Sequence, residues 1–263
     1  MQNANPQSTR SLPALKRSAF SLIELIVVIG MISALAALLL PSLASARAQA
    51  LSVTCASNQR QIGLGVLGYT EDYDGLLPIS QYYDKARNAL VAWDTITSFG
   101  PGGCVEPGLI WAYTAANEVQ QCPAYRGPSM TVADPYTGYN YNTTYLGRGE
   151  NEGAYLSMGC SPANVAHVTH TATTAMIGDG GWKAGANKFM RAPLDGGAAE
   201  GTVHAGAQAF RHRGSTIVTY VDGHAAPTQG KFRKPDAQPY NEAILGWPDN
   251  GFLSDDDSAY AHR

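Results

Sequence analysis

The feature that most constrains this chain is an apolar segment near its N-terminus. From Leu25 to Leu40 there is no charged residue, and with Phe20 to Ile23 added the segment reaches about the 20 residues that a membrane-spanning helix needs. Glu24 lies inside this segment, although a carboxylate deep in a bilayer costs roughly 2.5 to 3.5 kcal/mol on insertion scales. The segment therefore predicts a transmembrane helix with one acidic residue that needs an explanation.

The residues that flank the segment predict its orientation. Arg10, Lys16 and Arg17 precede it, and basic residues stay on the cytoplasmic side of a membrane. A secretory signal peptide has a shorter apolar core and then a small-residue cleavage site, whereas here residues 41–43 (PSL) and a helix-compatible polar stretch follow. We expect a single-pass inner-membrane protein with a cytoplasmic N-terminus and a periplasmic or extracellular head.

Two residues of the segment each allow two interpretations from the sequence alone. Glu24 lies near the cytoplasmic end, so its carboxylate either reaches the lipid headgroups or meets a partner within the membrane. Pro41 either kinks a continuing helix or ends the helix at the membrane boundary, and we favour the kink.

The sequence beyond Pro41 predicts a stalk followed by a β-rich head. Apolar residues recur at helical spacing at Leu51, Cys55, Ile62, Val66 and Tyr69. A turn signal at Asp74-Gly75 and Pro78 then ends the helix. The 28 glycines and 15 prolines favour a loop-rich remainder. We predict an α+β fold: a long helix from about Phe20 to Thr70, packed on an antiparallel β head over 71–263.

Composition and motifs narrow the classes of function. The formal net charge of −3 gives no indication of a nucleic-acid partner. The sequence contains no G-x-S-x-G, H-E-x-x-H or Walker A motif, and IGDGG at 177–181 is typical of a strand that runs into a turn. We therefore expect no enzymatic activity and no cofactor other than the calcium ion considered below.

A specific set of residues surrounds the start of the apolar segment. A short basic leader ends in Ala19 and is followed by Phe20, the sequence SLIE ending at Glu24, the apolar run and Pro41. This arrangement resembles the type IV pilin and type II secretion pseudopilin family. The resemblance implies cleavage by a prepilin peptidase between Ala19 and Phe20, N-methylation of Phe20, and an assembly role for Glu24 with the terminal amine of a neighbouring subunit. The family normally has glycine where this chain has Ala19.

A second motif lies near the C-terminus, where RHRGSTIVTYVDGHAA contains His212 and Asp222-Gly223. With CASNQRQIGLGVLGY and QQCP, it resembles pilin-like proteins that have a prepilin N-terminus and a terminal H-x9-D-G motif, abundant in planctomycete and verrucomicrobial genomes. Residues 215–221 are typical of a strand, which would separate His212 from Asp222 by more than ~20 Å. A metal site shared by His212, Asp222 and His224 is therefore disfavoured, as is one at His167 and His170, which have no third ligand spaced with them.

The cysteines and a C-terminal acidic run are the remaining candidates. Four cysteines in an exported region predict two disulfides with three possible connectivities. The resemblance favours Cys55 with Cys122, which leaves Cys104 with Cys160, although Cys55 could instead be a buried apolar residue. Asp255, Asp256 and Asp257 could bind calcium, but a solvated acidic tail is the favoured interpretation.

Taken together, the resemblance implies a (pseudo)pilin subunit of a type II secretion or type IV pilus-like fibre. Its expected partners are other (pseudo)pilins, the prepilin peptidase, an inner-membrane assembly platform and the lipid bilayer. The main alternative is a monomeric, membrane-tethered module that binds a ligand such as polysaccharide through exposed Tyr and Trp residues of the head. A membrane-anchored hydrolase is a third possibility.

Overall fold

The computed structural model describes residues 21–114, 117–127, 138–149, 161–183, 185–194, 206–233 and 239–261. The leader, the cleavage position between Ala19 and Phe20, and Cys160 lie outside these residues. The chain divides into two compact units, Met1–Ser45 and Ala46–Arg263. The stalk part of the long helix therefore belongs to the same unit as the head.

A 51-residue helix, α1 (Leu22–Asp72), confirms the predicted long N-terminal helix. Pro41 lies inside α1, so the alternative in which the helix ends at Pro41 is wrong. The large apolar side chains between Leu22 and Leu43 are exposed. Among the described residues, α1 is the one helix that is long and apolar enough to cross a membrane.

Within the second unit, one face of α1 is buried, as the spacing predicts. Cys55, Ile62, Val66 and Tyr69 are buried, whereas Leu51 is only half-buried. Gln59 and Gly63 share this buried face, and a Cβ at Gly63 would lie 2.6 Å from Thr219 Cγ2. Glycine, which weakens a helix by itself, thus lets α1 approach the sheet closely.

We expect Gly63→Ala to destabilise the protein by about 1 to 3 kcal/mol, because the new methyl group must displace β-branched Thr219 in a packed core. Gly68→Ala is the matched control, since its Cβ would meet Tyr113 at an ordinary 3.4 Å, and it should be stabilising by about 0.5 to 1 kcal/mol. Urea unfolding of the detergent-solubilised chain, followed by tryptophan fluorescence, measures both. Equal stabilities of the two variants would contradict the close approach.

The described residues of the head form two sheets. The first is an antiparallel meander in the order β1-β2-β3-β4. Its strands are β1 (Gln81–Asp84), β2 (Ala89–Ala92), β3 (Thr95–Ser98) and β4 (Val105–Pro107).

The second sheet has the order β10-β9-β6-β5-β7, and β8 joins β6 while β11 joins β8. Its strands are β5 (Tyr139–Asn142), β6 (Ala175–Gly181), β7 (Phe189–Met190), β8 (Ala207–Ala209), β9 (Thr216–Tyr220), β10 (Ala225–Thr228) and β11 (Asn250–Gly251), and a short helix, α2 (Pro239–Leu245), precedes β11. All pairs are antiparallel except the parallel pair of β5 with β7. The α+β class with a mainly antiparallel head is therefore confirmed.

The strand predicted over 215–221 corresponds to β9, and Asp222-Gly223 forms the turn into β10. Gly223 has a φ of +86°, a conformation that glycine adopts without strain. The Tyr220 N–H donates to the His224 carbonyl at 2.9 Å and closes the turn. His212 and Asp222 accordingly lie before and after β9, at its opposite ends.

The core has two parts. In the first, Ile62 and Val66 of α1 pack with Trp93 and with Ile177 and Ile217 of the second sheet. The second part lies near the C-terminus and contains Met190, Val218, Phe252 and Tyr260. Tyr260 is fully buried, so the C-terminal segment packs against the head. Within it, Asp255 and Asp256 are exposed, as expected for a solvated acidic run, and Asp257 is half-buried.

Candidate functional site

Four chemically reactive side chains meet in the interior of the second unit. They are Cys55 of α1, Cys122 after the 3-10 helix Asn117–Gln120, Asp179 of β6, and His212 before β9. Cys55, Cys122 and Asp179 are 0% exposed and His212 is 4% exposed. Each offers one potential ligand atom, and these atoms all lie within 4.8 Å of one another. Within the described part of the chain, this is the one group of three or more potential metal ligands that lie so close together.

Each member of this Cys55–Cys122–Asp179–His212 cluster is placed by its local structure. Cys55 lies on the buried face of α1, and Asp179 lies in β6, whose residues are all buried. His212 and Ser215 exchange backbone hydrogen bonds of 3.0 Å around a turn in which Arg213 and Gly214 both have positive φ. This pattern is that of a tight type I′ hairpin, and it fixes His212 at the start of β9.

The cluster is a closed ring of short contacts. Cys55 Sγ lies 3.3 Å from Asp179 Oδ1 and 3.9 Å from Cys122 Sγ. His212 Nε2 lies 3.7 Å from Cys122 Sγ and 3.3 Å from Asp179 Oδ2. Each of the four groups thus contacts two others.

Further hydrogen bonds orient the Asp179 carboxylate. The Ile217 backbone N–H donates to Oδ2 at 2.8 Å, and Gln59 Nε2 donates to Oδ1 at 3.2 Å. Gln59 is one turn of α1 beyond Cys55, and its Nε2 also lies 3.7 Å from Cys55 Sγ. Because a buried charge is costly unless it is paired and hydrogen-bonded, these donors account for a carboxylate in the middle of the sheet.

The contacts also determine which groups carry charge. Burial disfavours the imidazolium form of His212, but its hydrogen bonds with Asp179 and Cys122 outweigh burial and raise its pKa to about 9. The hydrogen bond from Cys55 lowers the pKa of Cys122 to about 5, with a further contribution from His212. Burial raises the pKa of the Cys55 thiol. In the metal-free cluster these contacts favour the thiolate at Cys122, the imidazolium at His212 and the neutral thiol at Cys55.

This arrangement is unsuited to nucleophilic catalysis. In a cysteine or serine triad the base uses one ring nitrogen for the nucleophile and the other for the carboxylate. Here Cys122 and Asp179 both contact Nε2 of His212. Cys122 is also fully buried. Two adjacent thiols beside an imidazole and a carboxylate can instead form a disulfide or bind a metal ion.

The structure brings together the first predicted cysteine pair. Cys55 and Cys122 are adjacent but are free thiols, so their disulfide stays a prediction. Cys104 is an exposed free thiol near Glu106, and its predicted partner Cys160 lies outside the described residues.

The other predicted candidates do not form a site. The Asp222 carboxylate, at the far end of β9 from His212, accepts the His224 backbone N–H at 3.0 Å. His167 and His170 are both exposed and belong to no ligand group within the described chain.

The acidic run at the C-terminus is used within the protein. Asp257 accepts hydrogen bonds from the Tyr145 hydroxyl at 2.6 Å and from the Leu194 N–H at 2.9 Å. Asp256 accepts the Ser258 N–H at 2.9 Å, and Asp255 is exposed. These contacts link Asp256 and Asp257 to donors of the protein itself. The calcium site considered for the three residues stays an untested prediction.

Glu24 has a local partner that the sequence analysis missed. Its Oε2 accepts the Ser21 N–H at 2.9 Å, while Ser21 Oγ accepts the Ile23 N–H at 3.3 Å. This reciprocal arrangement is a capping box, and its signature, S-x-x-E before an apolar run, is readable in SLIE. Glu24 therefore stabilises the start of α1 in addition to any role in assembly.

Asp179 is the functional candidate that sequence reasoning overlooked. The available signal was an acid within the strand-forming sequence AMIGDGG, since a carboxylate in a buried strand needs partners.

Comparison of the chain with protein-family models, curated proteins and solved structures finds no match.

Proposed function

We propose that this protein is a membrane-anchored structural subunit that assembles through its N-terminal helix into a type II secretion or type IV pilus-like fibre. The observation that carries the proposal is the exposed apolar part of α1, which has Glu24 as its one charged residue before Arg47. The exposed apolar surface and its single charge are both accounted for if this part of the helix first lies in lipid and then packs against the same part of other copies of the chain.

The length and exposure of the segment support an anchoring role. Leu22 to Leu40 as a helix would span about 28 Å at 1.5 Å per residue, close to the ~30 Å hydrocarbon core of a bilayer. Leu38 is 77% exposed, and the large apolar residues around it are similarly uncovered. An apolar surface of this extent is typical of a membrane or protein interface.

The position of Glu24 supports assembly beyond anchoring. Removal of residues 1–19 would create an ammonium group at Phe20, and the carboxylate of a neighbouring copy is a suitable partner for it in low dielectric. An unpaired charge in that environment is costly. Pairing would therefore favour one axial register of the packed helices. Inner-membrane assembly proteins and a prepilin peptidase are the partners that this mechanism requires.

We expect the mature protein to begin at N-methylated Phe20, because Ala19 provides a small residue between the basic leader and the FSLIE sequence. Mass spectrometry of the N-terminal peptide from membranes tests this. Ala19→Gly should be processed at least as completely, whereas Ala19→Leu should accumulate uncut chain. An intact Met1 terminus from cells with an active prepilin peptidase would contradict the proposal.

One observation favours the tethered binding module as a second candidate. Tyr83 and Phe99 of the first sheet are 40% and 50% exposed, with ring centroids 6.4 Å apart. Exposed aromatic rings can stack on a sugar or another flat ligand. The tryptophans expected to take part do not support it, since Trp93 and Trp111 are buried and the other two are half-buried.

A further inference from the structure

We propose that Cys55, Cys122, Asp179 and His212 together bind one Zn²⁺ ion in a closed, structural site. Two thiolates, an imidazole and a carboxylate are all established zinc ligands, and four protein ligands leave no coordination position for a substrate. This inference concerns the head alone and does not depend on assembly of the protein into a fibre.

The distances among the donor atoms are close to those of a tetrahedral zinc site. With Zn–S bonds of about 2.3 Å and Zn–N or Zn–O bonds of about 2.05 Å, tetrahedral edges are about 3.8 Å for S–S, 3.6 Å for S–N or S–O, and 3.4 Å for N–O. The observed distance is 3.9 Å between the two sulfurs and 3.7 Å from Cys122 Sγ to His212 Nε2. Asp179 lies 3.3 Å from Cys55 Sγ through Oδ1 and 3.3 Å from His212 Nε2 through Oδ2. The two edges at Cys122 agree within about 0.1 Å. A single Asp179 oxygen would serve as the ligand, and one donor atom of each residue already lies within 4.8 Å of the others, so small side-chain adjustments would complete the tetrahedron.

The surroundings of the donors are those of a supported metal site. The Ile217 N–H and the Gln59 amide hold the Asp179 carboxylate, as outer hydrogen bonds do for metal ligands. Bound zinc would leave the site with a net charge of −1, given two thiolates and one carboxylate. The guanidinium of Arg211 lies close to Cys122, since a Cβ at Gly138 would meet both side chains, and it would offset this charge.

The donor set selects zinc over calcium and over a simple disulfide. Calcium takes oxygen ligands, six or more of them, whereas sulfur and imidazole in a tetrahedral arrangement favour zinc. A disulfide between Cys55 and Cys122 would use the two sulfurs alone. It would give no reason for His212 and Asp179 to be buried beside them.

A surface groove of about 420 Å³ borders the cluster at Cys122 and is lined also by Thr54, Asn58, Gln121, Tyr125 and Arg126. This groove is the side from which an ion would approach the buried donors. Once bound, zinc would link α1, the loop that holds Cys122, β6 and the start of β9.

Cobalt substitution tests the proposal directly. The full chain, purified in detergent with a phosphine reductant and freed of metal, is titrated with Co²⁺ and then with Zn²⁺. We expect thiolate-to-cobalt charge-transfer absorption and intense tetrahedral d–d bands that saturate at about one Co²⁺ per chain and that Zn²⁺ abolishes. Cys122→Ser should roughly halve the charge-transfer absorption, whereas Cys104→Ser should leave it unchanged. Absence of these bands in the wild-type protein would overturn the site, whether or not a variant folds.

A second measurement separates zinc from oxidation. The full chain is isolated from membranes without reductant, and its metal content and cysteine state are measured by elemental analysis and non-reducing peptide mapping. We expect about one zinc per chain and no linkage between Cys55 and Cys122. A Cys55–Cys122 disulfide with no bound zinc would overturn the proposal, as would zinc whose amount is unchanged in a folded His212→Ala variant.

Discussion

Replacing Glu24 with leucine should leave the protein in the membrane and reduce its self-association by a hundredfold or more. Insertion should be unchanged or improved, because the variant removes a charge from an apolar helix. Assembly should fail because the ammonium of a neighbouring subunit loses its partner, and breaking one side of a buried ion pair costs about 3 to 5 kcal/mol. Crosslinking of wild-type and variant membranes, with retention of cargo or ligand measured in parallel, gives both results.

Glu24→Gln is the matched control, because the capping box at Ser21 makes the leucine variant ambiguous by itself. Glutamine keeps the capping hydrogen bond but carries no charge. If assembly depends on the charge, Gln and Leu variants should be equally defective. If Glu24 acts only as a cap, the Gln variant should assemble normally, and the Leu variant should lose about 1 kcal/mol of helix stability. Unchanged oligomer ladders for both variants, with unchanged ligand retention, would favour the tethered binding module.

In the metal-free chain, Asp179→Asn should lower the free energy of unfolding by about 3 to 5 kcal/mol, because it leaves His212 without its buried counter-charge. Asparagine can still accept the Ile217 N–H through its amide oxygen, so the expected loss comes mainly from the charge. Urea unfolding of the detergent-solubilised chain measures the change.

Asp222→Asn provides the comparison for Asp179→Asn. Its carboxylate is partly exposed and bonds the nearby His224, and asparagine can accept the same backbone hydrogen bond. The expected effect is within about 0.5 kcal/mol, as for most surface substitutions. Equal effects of the two variants would contradict the view that His212 depends on Asp179.

The parts of the fold that follow from local patterns could be predicted from the sequence. The long apolar run and its helical continuation predicted α1. The β-branched residues before Asp222-Gly223 predicted β9 and the turn that follows it. Glycine lowers helix propensity, yet Gly63 is needed in α1 where Thr219 approaches. Helix propensity cannot show this, because the need for glycine comes from a residue far away in the chain.

The cluster could not be predicted because its members come from distant segments. Cys55 and Asp179 are 124 positions apart, and Cys122 and His212 are 90 apart. Their meeting depends on the register of β6 in the sheet and on which face of α1 is buried. Shifting a strand by one residue would turn Asp179 to the opposite face of the sheet. By contrast, the capping partner of Glu24 was readable within four residues.

The distance along the chain between Cys55 and Asp179 has a consequence for biogenesis. If the stalk is exported before the rest of the head, Cys55 emerges well before β6, which covers it and lies 124 positions later in the chain. Closing such long loops is slow compared with forming local structure, so under that order of export Cys55 would be exposed to oxidants until β6 had followed it. The oxidation state of Cys55 would then be decided in the interval between its emergence and its burial.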